Sequence, residues 1–319
     1  MGNLPKERVT QQRPFSISGV DFAGPVLLKL FSGRGSNRVQ KSYIAVFVCT
    51  AVKAVHLELV TSLTSGSFIA AFRRFTSRRG HCKKLISDCG TNFIGASKEL
   101  KKMFEQSMIN LSPEIAELLA KDSTEWKFNP PGAPHMGGLW EATVKSVKFH
   151  LQRTLCETKL TYEEYVTLLY QIESCLNSRP LTTVNDNDEL FALTPGHFLI
   201  GEPLITIPDE TCNENVVYSY NNRWTYLQQK LQYFWRKWSQ EYLTELQNRH
   251  KWMRSQTNIR VGNIVLIKDD RLPPSKWLLG RVVATHPGAD GYVRVVSVKC
   301  KNTIVKRPIH KLCLLPIED

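Results

Sequence analysis

The sequence lacks the long apolar runs that a membrane-spanning protein needs. None of its apolar stretches approaches the roughly 18–20 residues of a transmembrane helix. The polar start MGNLPKERVTQQRP has no apolar core of the kind found in signal peptides. These absences predict an intracellular protein without a membrane partner.

Paired metal-binding residues are missing as well. The eight cysteines and eight histidines form no CxxC, HxH or HxxxH pattern, which are spacings typical of zinc sites. Several cysteines stand in apolar stretches such as AVFVCT, where a free thiol behaves as a small buried hydrophobic group. We therefore expect neither a disulfide framework nor a bound zinc ion.

The composition allows two or three packed domains, because 42% of the 319 residues are apolar and 10% are aromatic. The net charge of +13 is uneven: residues 221–319 carry 18 Lys and Arg against 7 Asp and Glu (18 − 7 = +11), and residues 1–220 carry +2. This asymmetry is typical of a nucleic-acid partner. A solubilising surface is the alternative, but interleaved tryptophans favour nucleic acid: Trp224, Trp235, Trp238, Trp252 and Trp277.

The first half of the chain alternates strand and helix patterns, which predicts a mixed α/β core that begins with an antiparallel meander. Strands are predicted from PFSISGVDFAG, VQKSYIAVFVCT, KAVHLELV, KKLIS and EWKFNP. Helices are predicted from SLTSGSFIAAFRRFTSRRG, GASKELKKMFEQSM, SPEIAELLAK, 139–157 and 161–177. In the first helix Phe68, Ala71, Phe72 and Phe75 share one face, with Gly80 as C-cap; Thr161 and Glu164 form a capping box in the last.

The second half predicts three further segments. Residues 178–222 read as a linker with one short helix near TPGHFLIG, and residues 223–256 read as one long amphipathic helix. Five short period-two stretches in 257–319 indicate a small closed all-β barrel. The predicted division is therefore 1–177, 178–222, 223–256 and 257–319.

Three acidic residues are placed where they could take part in chemistry. Asp21 lies inside the first strand, Asp88 follows KKLIS, and Glu141 opens the helix predicted from 139. If the first and fourth strands are neighbours, Asp21 and Asp88 come together and Glu141 can lean over them. Such a cluster needs a cation to neutralise it, and oxygen ligands with open positions favour Mg²⁺ or Mn²⁺.

The helix that carries Glu141 has a polar line along one face. Lys145, Lys148 and Gln152 lie about +40°, −20° and +20° from Glu141 at 100° per residue, so they are candidates to contact phosphates. An ordinary i to i+4 surface pair between Glu141 and Lys145 is the alternative. Val144, Val147, Leu151 and Leu155 form the adjoining apolar stripe.

Longer phrases of the sequence are similar to a known family. VDFAGP, SDCGTNFIGA and PPGAPHMGGLWEATVKSVKFHL together resemble the D,D,E catalytic core of retroviral and retrotransposon integrases, which has an RNase H-like fold. The resemblance is closest to the BEL/Pao class of LTR retrotransposons, in which a tryptophan-glutamate pair, here Trp140 and Glu141, carries the last acid. IESCLNSRPLT, FWRKWSQEYL, VLIKDDRLPPSKWLLGRVV, HPGADGYVRVV and RPIHKLCLLP are also similar to that class.

The resemblance implies residue roles as well as a fold. Asp21, Asp88 and Glu141 would bind two Mg²⁺ or Mn²⁺ ions, Asn92 would line the site, and the C-terminal strands would form an SH3-like DNA-binding barrel. The residues expected to contact nucleic acid are Asn92, Lys145, Lys148, Gln152, Arg236, Lys237, Lys268, Arg271, Lys276 and Arg281.

The implied function is that of an integrase, a metal-dependent DNA strand transferase and endonuclease. It performs 3′-end processing and strand transfer of retrotransposon DNA into target DNA, as a homo-oligomer in the nucleus. Because the His/Cys zinc domain that precedes such cores is absent from the sequence, a domesticated, catalytically idle DNA-binding or chromatin protein is the alternative. A plain RNase H-like nuclease is a third reading, disfavoured by the basic C-terminal region.

Overall fold

A computed structural model describes most of the chain. The described residues are 10–31, 38–108, 123–129, 134–155, 158–186, 189–205, 223–247, 258–269, 271–301 and 303–315. Contacts between residues divide the chain into a first unit, residues 1–173, and a second unit, residues 174–319. No helix among the described residues is long and apolar enough to cross a membrane.

The first unit is built on a mixed six-stranded sheet. Its strands are β1 Ile17–Lys29, β2 Val39–Cys49, β3 Val55–Val60, β4 Lys84–Ser87, β5 Glu125–Phe128 and β6 Lys159–Leu160. They run in the order β3-β2-β1-β4-β5, and β6 pairs with the end of β1. The antiparallel meander of β1 to β3 is confirmed, as is the expectation that the first and fourth strands are neighbours. The sequence did not predict β6.

Four helices belong to this part of the chain: α1 Ser65–Arg79, α2 Thr91–Met108, α3 Pro134–Leu155 and α4 Tyr162–Asn177, whose last turn lies in the second unit. The backbone N–H of Ser67 donates to the Thr64 hydroxyl at the start of α1, and Gly80 ends that helix with a φ of 80°. The predicted apolar face of α1 is buried, and the Thr161/Glu164 capping box is formed. The helix predicted from SPEIAELLAK lies outside the described residues.

Two predicted helix starts need correction. Helix α3 begins at Pro134 rather than 139, because proline fits the first helical position, where its fixed φ is suited and its missing N–H costs nothing. Glu141 therefore lies two turns inside the helix. Helix α2 begins at Thr91 rather than 95, since the Gly90 carbonyl already accepts a hydrogen bond from the Ile94 N–H at 3.0 Å.

The alternation of side chains along β1 separates two packing faces. Phe22 stacks on Phe93 of α2 at 5.1 Å and meets Phe68 of α1 edge-on at 5.9 Å. Gly19 points to the opposite face, where it contacts Trp140 of α3. The sheet therefore lies between α1 and α2 on one side and α3 on the other. The predicted α3 stripe of Val144, Val147, Leu151 and Leu155 is buried, as expected.

The second unit starts with a hairpin inside the predicted linker. Strands β7 Thr182–Asp186 and β8 Glu189–Leu193 pair antiparallel, and helix α5 Pro195–Ile200 confirms the short helix near TPGHFLIG. The sequence analysis did not predict this hairpin, because its Asn, Asp and Thr residues are typical of loops. Helix α6 runs from Arg223 to Leu246, so it ends before 256; residues 248–257 lie outside the described residues.

The C-terminal region forms an antiparallel sheet of the five predicted strands. They are β9 Ile264–Ile267, β10 Leu278–Pro287, β11 Val293–Cys300, β12 Thr303–Pro308 and β13 Leu312–Leu314, in the order β12-β11-β10-β9-β13. Among the described residues the two edge strands do not pair, so the predicted closed barrel is not found. The sheet is nevertheless curled. The two edge strands, β12 and β13, are joined by residues 309–311 alone, and a segment of this length reaches about 15 Å. The edge strands of a flat five-stranded sheet would lie about 19 Å apart, so this sheet must curl to bring them together.

Three of the four tryptophans that the structure describes in the second unit pack against one another instead of forming an exposed nucleic-acid surface. Trp235 and Trp238 are buried, and both rings pack on Trp277 at 5.0 and 6.0 Å. The Tyr242 hydroxyl donates to the Pro180 carbonyl at 2.6 Å. Trp224 is half exposed, and Trp252 lies outside the described residues. This packing attaches the segment after α4 to helix α6.

Candidate functional site

Asp21 and Asp88 both lie two residues beyond the last residue pair of the parallel strands β1 and β4. The β1–β4 pairs run from Ile17 opposite Lys84 to Gly19 opposite Ile86, an offset of 84 − 17 = 67. Asp21 and Asp88 differ by the same 67. Paired residues of parallel strands point to the same face, so this register, if continued by two residues, would set the two carboxylates on one face beyond the carboxyl end of β4.

Asn129, at the end of β5, lies next to the end of β4, and the sequence analysis did not identify it. The β4–β5 register pairs Lys84 with Glu125, an offset of 41, which places Asn129 opposite Asp88. The Asn129 N–H continues the ladder by donating to the Ser87 carbonyl at 2.8 Å. Its side-chain amide donates to the Glu141 carboxylate at 3.4 Å. The EWKFNP phrase predicted a strand that ends near Asn129, but not which strand lies beside it.

The turn after β4 holds Asp88 by local contacts. The Gly90 N–H donates to the Asp88 carboxylate at 3.1 Å. A β-carbon built on Gly90 would lie 2.7 Å from the Asn92 side-chain oxygen and 3.2 Å from Asp88. Asn92 and Asp88 therefore both lie close to Gly90. Asp88 itself is exposed.

Helix α3 brings its polar side chains over this face. The Lys148 ammonium forms an ion pair with the Asp21 carboxylate, while the other Asp21 oxygen accepts a hydrogen bond from the Phe22 N–H at 2.7 Å. Glu141 is half-buried, whereas Lys145 and Gln152 are exposed. The helix therefore presents one acid and a line of polar and basic groups, as the predicted helical face required.

The three acids do not form a metal-binding group among the described residues. Among the side chains that the structure describes, no group of three His, Cys, Asp or Glu residues is placed to hold a metal ion. Each acid has a separate partner: Lys148 for Asp21, the Gly90 N–H for Asp88 and Asn129 for Glu141. This arrangement is expected electrostatically, since carboxylates at close range repel one another unless a cation lies between them.

A second cluster of charged side chains lies at the β3 edge of the sheet. Glu58 is buried and accepts hydrogen bonds from Arg74 at 2.6 Å and Arg78 at 3.2 Å. Nε2 of buried His56 lies 3.2 Å from the same carboxylate. Burial alone raises the pKa of Glu58, but hydrogen bonds from His56 and Arg74 outweigh it and hold that pKa below its ordinary value.

Glu173 of α4 joins the same cluster. Its carboxylate accepts the Leu57 N–H at 2.9 Å, lies 3.3 Å from His56 Nδ1 and pairs with Arg79. Burial raises the pKa of Glu173, but contacts with His56 and Arg79 outweigh it, so the pKa is lowered. Both carboxylates are fully partnered by groups of the chain, which indicates a structural role in joining α1, β3 and α4.

The basic residues predicted in the second unit lie on different elements. Arg236 and Lys237 flank Tyr233 on α6, with their charged groups 5.9 Å from the centre of its ring. The remaining four lie in the C-terminal sheet region: Lys268, Arg271, Lys276 and Arg281. Lys276 and Arg281 are exposed, Lys268 is half-buried, and Arg271 pairs with Asp269 at 2.6 Å.

One sheet position concentrates positive charge. Arg281 of β10 stands directly opposite Lys299 of β11, and both side chains are exposed. Like charges directly opposite each other are destabilising, so a polyanion bound at this face would relieve their repulsion. The sequence analysis identified Arg281 but not Lys299, because only the strand register makes them neighbours.

Comparisons with known proteins give little further constraint. Residues 222–315, which contain α6 and the C-terminal sheet, match the model of a family of unknown function, DUF5641. No curated protein matches the sequence. The protein is similar to a chain in the cryo-EM structure of the simian T-cell lymphotropic virus intasome in complex with the PP2A regulatory subunit B56 gamma. The similarity covers 100% of this protein and 85% of that chain. Their identity is 13% and the TM-score is 0.36, which is too low to support a conclusion about fold or function.

Proposed function

We propose that this protein is an integrase-type polynucleotidyl transferase that processes DNA 3′ ends and transfers the strand into target DNA. The observation that supports the proposal is the β1–β4 register, which would set Asp21 opposite Asp88 if continued by two residues, together with the hydrogen bond between Glu141 and Asn129, which follows β5. We propose that acids 67 and 53 positions apart along the chain act together at the carboxyl ends of β4 and β5. An RNase H-like core is the fold that accompanies this proposal.

The donor set suits a hard divalent cation. Asp21, Asp88 and Glu141 offer oxygen atoms, which Mg²⁺ and Mn²⁺ prefer, and we propose that they hold two such ions. Bound metal ions would activate the attacking oxygen and stabilise the leaving oxygen of a phosphodiester. We expect Asp21 to exchange the Lys148 ammonium for metal as its countercharge.

The residues around the acids then have separate roles in holding DNA. Lys145, Lys148 and Gln152 follow Glu141 along one face of α3, so they are placed to contact successive phosphates. Lys148 is half-buried in its ion pair with Asp21 and would become available for a phosphate when that pair opens. Arg281 and Lys299 supply a further basic face on the C-terminal sheet, for which we propose an SH3-like DNA-binding role.

The partners and location proposed here follow from the substrate. The chain would bind the double-stranded ends of an element and target DNA, act as a homo-oligomer, and work in the nucleus.

A second candidate is a DNA-binding protein without catalysis. It is favoured by one observation: Lys148 already neutralises Asp21, and Asn129 already binds Glu141. If these partners persist in the presence of metal, the basic surfaces could still bind DNA while the acids perform no chemistry.

Strand transfer on a labelled DNA that ends in the element's own terminus separates the two candidates. With Mg²⁺ or Mn²⁺ we expect joined products from the unmodified protein and none from Asp88→Asn, whose amide oxygen is a poorer metal ligand than a carboxylate. Glu99→Gln is the matched control, because Glu99 is an exposed acid on α2, and it should retain full activity.

The same protein samples should be tested for DNA binding as a function of salt. DNA binding that weakens steeply with salt, with no metal-dependent product, would favour the second candidate. Products that persist in Asp88→Asn would refute the catalytic role of the acids.

A further inference from the structure

We propose that Gly19 and Trp140 form a seat that positions Glu141 over the row of Asp21 and Asp88. The seat itself is a packing relation within the first unit. Its consequence for catalysis rests on the proposed function, in which Glu141 is the third acid of the site. Trp140 is therefore a positioning residue, and Gly19 is the position that makes room for it.

The indole of Trp140 lies against the backbone of β1 at Gly19. A β-carbon built on Gly19 would lie 2.8 Å from Cε3 of Trp140 and would overlap its Cγ and Cδ2 atoms. Those atoms belong to a rigid ring rather than to the end of a flexible side chain. Trp140 is 4% exposed, so the ring has no free space into which it could turn. Only glycine at position 19 fits this arrangement.

The seat lies next to the acidic row. Gly19 and Asp21 point to the same face of β1 because side chains alternate along a strand, and Gly19 pairs with Ile86, two residues before Asp88. The indole therefore occupies the position directly before both aspartates on that face. Glu141 follows Trp140 and bonds to Asn129, at the end of β5.

Helix α3 is attached to β1 at two points. One is the contact between Trp140 and Gly19, and the other is the ion pair between Lys148 and Asp21. Eight residues separate the two points, about 12 Å along a helix. These two contacts act together with the buried stripe of Val144, Val147 and Leu151, and the Trp140 contact is the one next to Glu141.

The indole is held by shape alone among the described residues. Its Nε1 atom is buried and has no hydrogen-bond partner in the part of the chain that the structure describes. Since no hydrogen bond fixes the ring, its position depends on the space above Gly19. A single added methyl group at position 19 should therefore displace the ring, and with it the first turns of α3.

Gly19→Ala in the full-length chain tests the seat, with hydrogen exchange of the α3 amides as the readout. We expect amides 140–148 to exchange at least about tenfold faster, while those of β2 and β3 keep their rates. Gly66→Ala is the matched control, because a β-carbon at Gly66 meets no atom within 4 Å, and it should leave exchange unchanged.

A double-mutant cycle separates the seat from a general loss of stability. In the Trp140→Leu background the ring is gone, so adding Gly19→Ala should change exchange in α3 by less than about threefold. Equal effects of Gly19→Ala with and without the ring would overturn the proposal. If Gly19→Ala alone does not fold, recovery of a folded protein in the Trp140→Leu background supports the seat, and failure in both backgrounds overturns it.

Strand transfer supplies the functional readout. For folded Gly19→Ala we expect kcat to fall about a hundredfold, the loss that a displacement of about 1 Å typically causes, with KM for DNA unchanged because Lys145 and Lys148 remain. Unchanged exchange in α3 of folded Gly19→Ala would refute the seat. Absence of metal-dependent product from the unmodified protein would refute the proposed function, while the exchange experiment would still decide the seat.

Discussion

Replacing Glu173 of helix α4 by glutamine should destabilise the first unit more than any substitution of an exposed residue of that unit. Glu173 is only 5% exposed, and its carboxylate interacts with His56, Arg79 and the Leu57 N–H. Glu173→Gln keeps an acceptor for the Leu57 N–H, but it leaves the Arg79 guanidinium and His56 facing a neutral amide.

The size of the loss follows from burial. Removing one partner of a buried ion pair costs about 3–5 kcal/mol, because the remaining charge stays desolvated without compensation. For a unit of this size, each kcal/mol lowers the melting temperature by about 2–4 °C. We therefore expect a decrease of roughly 6–20 °C, which scanning calorimetry resolves.

The pH dependence gives an independent check of the same reasoning. The folded-state pKa of Glu173 lies below its ordinary value of 4.5, so the folded protein binds this proton less readily than the unfolded chain. The stability it contributes is fully present above about pH 4.5 and is lost as the pH falls through the folded pKa. The difference in unfolding free energy between the unmodified protein and Glu173→Gln should therefore become smaller below pH 4.5.

Melting curves from pH 3 to pH 7 test both expectations. Glu99→Gln is the control, because Glu99 is exposed on α2, and it should change stability by less than about 0.5 kcal/mol. A loss below about 1 kcal/mol at pH 7 for Glu173→Gln would refute the reasoning, as would a stability difference that does not change with pH.

Three further predictions concern single positions. Lys299→Ala should weaken DNA binding and lower the salt slope of log K by about 1, because it removes one phosphate contact beside Arg281; a filter-binding series at several salt concentrations measures it. Gly280→Ala should lower the melting temperature of the second unit by several degrees, since a β-carbon there would lie 2.9 Å from the Cys300 sulfur. Cys89→Ser should remove one fast-reacting thiol in a titration with a thiol reagent, because Cys89 is exposed whereas burial raises the pKa of the Cys175 thiol to about 12.

Much of the secondary structure could be predicted because its causes are local. The apolar face of α1 and the Thr161/Glu164 capping box depend on residues three or four positions apart, and both form as predicted. The five strands of the C-terminal sheet follow from alternation over a few residues. The β7–β8 hairpin was missed for the same local reason, since its loop-like composition conceals the pairing.

The candidate site was only partly predictable. The sequence identified Asp21, Asp88 and Glu141 as candidate acids, but Asn129 could not be found, because its place beside Asp88 depends on the β4–β5 register. No local sequence pattern identified Gly19 either, since its role depends on a tryptophan 121 positions later in the chain. The strand register and the packing of α3 supply both residues.

The sequence by itself determined which segments are helices and strands and which side chains could perform chemistry, because periodicity, caps and residue type act over a few neighbouring positions. Only the tertiary structure decided which distant segments lie side by side. It paired β1 with β4 and placed the Lys148 ammonium against the Asp21 carboxylate. It also showed that Trp235, Trp238 and Trp277 pack against one another. Such choices arise from packing and electrostatic compensation between elements, and these forces act between residues that no local pattern connects.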